Sequence, residues 1–74
     1  MKCMYWLLVF NPNEIFDFQV LDFDRNEEVV YRTMYDYMNT GIYPQKKMII
    51  LQAPSSAAAL HLAAKNRSLY RGTK

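Results

Sequence analysis

The chain has 74 residues, 51% apolar, 15% aromatic and 22% charged, with two glycines and three prolines. This is the composition of one small globular domain spanning residues 1–74, and it excludes a disordered, collagen-like or low-complexity chain. The formal charge of +2 is the sum of two opposed blocks. Residues 1–44 hold all seven acids against Lys2, Arg25 and Arg32, a net of −4, and residues 45–74 hold six bases and no acid, a net of +6. A polyanion lying across the whole surface would be repelled by the acidic block, so any phosphate contact is confined to the C-terminal part.

Residues 4–10 (MYWLLVF) form a short aromatic, β-branched and aliphatic run that stops at the turn signal Asn11, Pro12, Asn13. The run reads as a strand buried on both faces. It is too short to cross a bilayer, and no small-residue cleavage site follows it, so a soluble chain without membrane contact is expected. The single Cys3 cannot close an internal disulfide, excludes a stapled secreted mini-domain and fits a cytoplasmic setting. Cys3 itself reads as a half-buried strand residue.

Phe16, Phe18 and Val20 then alternate with Asp17 and Gln19, the period of two of a second strand with one wet face. Leu21 and Phe23 fall on the opposite parity, which predicts a bulge or twist near Val20 and Leu21, or else an outward-facing aromatic pair. Asp24 to Glu27 has the spacing of a capping box, with Asn26 as a competing cap. Glu27 and Glu28 suit the positive end of a helix, and Val30, Met34, Tyr37 and Met38 repeat at helical spacing until Gly41 supplies a left-handed stop. A helix is predicted at about 26–40.

Ile42, Tyr43, Pro44 and Gln45 form a connection before residues 48–52 (MIILQ), an uninterrupted apolar run that reads as a buried strand. Pro54, Ser55 and Ser56 open a second helix over residues 57–69, with a stripe of Ala59, Leu62, Ala63, Asn66 and Leu69/Tyr70. The order is ββαβα. The expected fold is α+β, a two-layer sandwich whose three-stranded, mainly antiparallel sheet carries both helices on one face and leaves Asp17 and Gln19 wet on the other.

Catalytic equipment is sparse. One histidine and one cysteine, His61 and Cys3, sit at opposite ends of the chain, and a zinc site cannot be built from them. His61 reads as a solvated helix residue. Asp17, Asp22, Asp24, Glu27 and Glu28 are explained by an exposed strand face and a helix cap, because no apolar pocket that would separate their pKa values is legible. The strand-to-helix junction at 52–56 lacks the glycines and the Lys-Ser/Thr pair of a phosphate loop and reads as ordinary capping. No cofactor and no metal are expected.

Two features remain. Lys65, Arg67, Arg71 and Lys74, with Tyr70 among them, make a basic end that either grips phosphates or an acidic protein face, or simply opposes the negative end of the helix dipole. Tyr31 and Tyr35, one helical turn apart, either have buried rings with wet hydroxyls or form a protein-contact surface. These residues point to a non-enzymatic protein-binding module, an effector, adaptor or inhibitor acting on a larger protein or complex. A reading frame of this length suits a virus- or plasmid-borne regulator. The second reading is a nucleic-acid-binding module using the basic end. A domain this small buries only about 60% of the surface its unfolded chain exposes, and with an open sheet edge the free chain is expected either to self-associate or to melt low, and a partner to raise its melting temperature.

Overall fold

The structure is a computed structural model that describes residues 3–14, 16–44 and 47–65. The elements are β1 (Met4–Phe10), β2 (Phe18–Asp24), α1 (Glu27–Thr40), β3 (Met48–Ala53) and α2 (Ser56–Lys65). The α+β class and the ββαβα order are as expected. The sheet order is β2-β1-β3, with β1 antiparallel to both neighbours. It follows that β2 and β3 run parallel to each other with β1 between them, and that α1 is the crossover joining the two edges.

The placement of the helices differs from the expected two-layer sandwich. Trp6 and Leu8 of β1 join Phe18, Ile49 and Ala53 in a core closed by Ala59 and Ala63 of α2. Leu7 and Val9 join Met48 in a second core closed by Val30 and Met34 of α1. Successive side chains of a strand point to opposite faces, so the helices lie on opposite faces and the sheet is between them. The reason is legible in β1 itself: its central residues, Trp6 to Val9, are all buried, and a strand apolar on both parities needs cover on both sides. No face is left for Asp17 and Gln19 to wet. Asp17 sits in the connecting turn with a left-handed φ of 67°, and Gln19 is half-buried opposite Val9.

The turn is closed by its own backbone. The Asn11 N–H donates to the Asp17 carbonyl at 2.7 Å, and the Glu14 and Asp17 N–H groups donate to the Asn11 and Glu14 carbonyls, both at 3.0 Å. The Asn11 side chain accepts the Asn13 N–H at 3.1 Å across Pro12. Phe16 lies in this turn and not in the strand, which begins at Phe18.

The predicted bulge is present. The ladder steps from Leu7 opposite Asp22 to Leu8 opposite Val20, leaving Leu21 as the extra residue. The step re-phases the strand. Val20 packs on the α2 side and Leu21 on the α1 side, and beyond the bulge Phe23 returns to the α2 side opposite Trp6, with ring centroids 4.9 Å apart. The buried indole N–H of Trp6 donates to the Ala53 carbonyl at 2.8 Å, tying the start of β1 to the end of β3.

Of the two candidate caps, Asn26 is the one used. Its side chain accepts the Glu28 N–H at 2.9 Å, while Asp24, still in the strand, accepts the Asn26 N–H at 2.8 Å and does not cap the helix. Gly41 ends α1 with φ 75° and donates its N–H to the Met38 carbonyl at 3.1 Å. The α2 helix starts on Ser55, whose hydroxyl accepts the Ala58 N–H at 3.2 Å.

Two further expectations are corrected. Leu62 is 41% exposed, because Ala59 and Ala63 centre the buried stripe and a helix step of about 100° leaves Leu62 on its flank. Cys3 is exposed, one residue before β1 begins. The expected extension of α2 through Asn66 to Leu69 and Tyr70 lies outside the described residues.

Leu7 and Leu8 are adjacent, fully buried and on opposite faces. Leu7→Ala and Leu8→Ala are therefore each expected to cost about 2–5 kcal/mol in urea unfolding. A sheet covered on one face only would leave one of the two nearly neutral.

Candidate functional site

α1 presents two chemically different sides. Val30 and Met34 are buried against the sheet, with Tyr37 and Met38 half-buried beside them. Glu27, Glu28, Tyr31, Arg32, Tyr35 and Asp36 are exposed. The helix is held by the Asn26 cap, by the Gly41 stop and by a tether to β2, in which the Thr33 hydroxyl donates to Asp22 Oδ2 at 2.6 Å. Asp22 Oδ1 also accepts the Phe23 N–H at 2.8 Å, so this carboxylate is occupied in joining the bulged strand to the helix.

With 100° per residue, Tyr31 and Tyr35 stand about 160–200° around the helix from Thr33. They lie on the flank turned away from β2. Tyr31 is 38% and Tyr35 52% exposed, and their ring centroids are 6.5 Å apart. Together with Glu27, Glu28 and Arg32 they line an open, shallow recess. Tyr31 and Tyr35 are both exposed, whereas Tyr37 and Tyr43, with centroids 5.3 Å apart, pack partly into the α1-side core. A smaller recess on the other flank is lined by Thr33, Asp36, Tyr37, Thr40 and Ile42, the last 59% exposed.

The remaining candidate residues are scattered. Lys65 is exposed in the last turn of α2, and Arg67, Tyr70, Arg71 and Lys74 of the expected basic surface lie outside the described residues. His61 is exposed and packs against the Phe16 ring at 4.9 Å, a contact between helix and hairpin turn that the sequence did not suggest. Asp24 and Glu27 belong to the strand end and the first turn of α1. Among the described residues no three His, Cys, Asp or Glu side chains converge as metal ligands, and no helix is long and apolar enough to cross a membrane.

What the arrangement offers is contact area. A tyrosine ring covers much surface with two rotatable bonds, and its hydroxyl needs no buried partner until an interface forms. Glu28 and Arg32, one turn apart, set opposite charges next to the rings.

Because Tyr31 and Tyr35 stand outside the core, Tyr31→Ala and Tyr35→Ala are each expected to change unfolding free energy by no more than about 0.5 kcal/mol. Met34→Ala, on the inner side of the same helix, is expected to cost about 2–5 kcal/mol. Denaturant unfolding followed by the fluorescence of the single, buried Trp6 measures all three.

Comparison with protein families, with curated proteins and with solved structures gives no match, so the chemistry of the chain's own surface is what bears on its function.

Proposed function

We propose that this chain is a small non-enzymatic protein-binding module, an effector, adaptor or inhibitor that acts by occupying a surface on a larger partner through the outer flank of α1. The observation that carries the reading is the Tyr31–Tyr35 pair, exposed and adjacent on a helix whose opposite side is committed to the core. Tyrosine is enriched among the residues that dominate binding energy at interfaces. A rigid helix presents the pair at little cost in side-chain ordering. The acids Glu27 and Glu28 beside it favour a partner surface with basic groups at the rim.

A second reading rests on the C-terminal block, where residues 45–74 contain six bases and no acid. On that reading Lys65, Arg67, Tyr70, Arg71 and Lys74 hold an acidic protein face or nucleic-acid phosphates.

Affinity capture from the source cell, with and without nuclease, separates the two. The protein-module reading expects a captured partner that survives nuclease and is lost with the double variant Tyr31→Ala/Tyr35→Ala, by about 30-fold or more in affinity, while the melting temperature stays within a few degrees. A partner retained at full affinity by that variant overturns it. If binding is instead lost with Arg67→Glu/Arg71→Glu and falls with salt at about −0.9 per phosphate on a log-log plot, the basic end is a DNA-contacting surface.

A further inference from the structure

The two outer edges of the sheet are built differently. Among the described residues β1 is paired on both sides, and β2 and β3 each form one outer edge of the sheet. That of β2 is guarded. The bulge at Leu21 interrupts its ladder, the Asp22 carboxylate sits on the Phe23 N–H at 2.8 Å, and Asp24 folds onto the Asn26 N–H at 2.8 Å. Bulges and edge charges of this kind are how sheet proteins prevent strand addition.

β3 has none of these devices. Its six residues, Met48 to Ala53 (MIILQA), contain no charge, no proline and no glycine, and its register with β1 runs without a break. Among the described residues no backbone hydrogen bond reaches it from outside the β1 ladder. Both core layers also stop here. Met48 and Ile50 belong to the α1-side core, and Ile49, Leu51 and Ala53 to the α2-side core. Ile50 and Leu51, in the middle of the strand, nevertheless remain only half-buried.

We infer that β3 is the pairing edge for a second copy of this chain, joined antiparallel about a two-fold axis into one six-stranded sheet of order β2-β1-β3-β3-β1-β2. An edge that pairs with itself about a two-fold is self-complementary, and an uncharged strand sets no like charges opposite each other when it does so. The faces restrict the register. Directly opposed residues of an antiparallel pair share a face, so the axis must pass through a residue position. Centring on Ile50 sets Ile50 against its own copy, Ile49 against Leu51 and Met48 against Gln52. Centring one residue later would set Met48 opposite Pro54, which has no N–H to give to a ladder. In the Ile50 register each core layer continues into the same layer of the second copy, and the half-buried Ile50 and Leu51 are covered. The α1 flank proposed for the larger partner is a different surface.

Sedimentation equilibrium of the full chain over a range of concentrations tests this. The expected mass rises toward twice 8.8 kDa in the native protein. It stays at the monomer value for Ile50→Lys, which puts two ammonium groups opposite each other across the axis. The register is tested separately by oxidation in a Cys3→Ser background. Ile50→Cys is expected to give a covalent dimer, whereas Gln52→Cys, displaced from its own copy by four residues along the strand, is not. This second measurement stands even if Ile50→Lys fails to fold. A native chain that remains monomeric at every concentration overturns the inference, as does a dimer that persists in folded Ile50→Lys or cross-links at Gln52→Cys and not at Ile50→Cys.

Discussion

The constraint on which the rest depends is that β1 has no polar face. Four consecutive residues at its centre, Trp6 to Val9, are buried, with Leu7 and Leu8 fully so. A strand of that kind cannot lie at an edge or on a one-sided sheet without leaving a row of apolar side chains in water. Both consequences are seen. β1 takes the central position in the sheet, and each of its faces is covered by a helix of different make. The α1 side is sealed by Val30 and Met34, larger side chains on a capped 14-residue helix. On the α2 side the sealing residues are Ala59 and Ala63, small enough to let the shorter helix approach closely, with the bulk supplied by Trp6 and Phe18 from the sheet.

The bulge at Leu21 reconciles β2 with that arrangement. Without it, Asp22 and Asp24 would share a face with Phe18 and Val20 and enter the α2-side core. With it, Phe23 takes that side and stacks on Trp6, while Asp22 turns toward α1 and binds Thr33. One inserted residue thus moves two carboxylates out of an apolar layer and uses one of them to fasten the helix. A buried carboxylate without partners would have cost several kcal/mol. The same residue blunts the edge of β2, so protection from strand addition and attachment of α1 have a common origin.

That attachment has a bearing on the candidate surface. Since α1 is fixed by its inner stripe, its caps and Thr33, the outer flank is free of structural duty. Tyr31 and Tyr35 can therefore change without disturbing what holds the helix, which is the condition for a surface to be shaped by a partner and not by the fold. The concentration of acids in the first 44 residues follows the same logic. Asp22, Asp24, Glu27 and Glu28 cluster about the β2–α1 junction, where strand edge, turn and helix N-terminus each favour a carboxylate.

The sequence by itself determined the elements and their order, because periodicity and punctuation are local. Apolar runs gave β1 and β3, the turn at Asn11 to Asn13 gave the hairpin, Gly41 gave the end of α1, and the parity change after Val20 gave the bulge. It left two candidate surfaces, the basic end of Lys65, Arg67, Tyr70, Arg71 and Lys74 and the pair Tyr31 and Tyr35. Only the tertiary structure decided that Tyr31 and Tyr35 are exposed, which of Asp24 and Asn26 caps α1, that Leu62 and Cys3 are exposed as well, and that the helices lie on opposite faces of the sheet. Each of these depends on what a face meets across space, and residues such as Trp6 and Ala53, bonded across 47 positions of chain, leave no local trace of that meeting. The two-sided burial of β1 was readable and already argued against a two-layer sandwich. Asp17 and Gln19 suggested otherwise because alternation in a short segment does not distinguish a wet sheet face from a turn followed by a strand, a distinction made by backbone hydrogen bonds that only the folded chain can form.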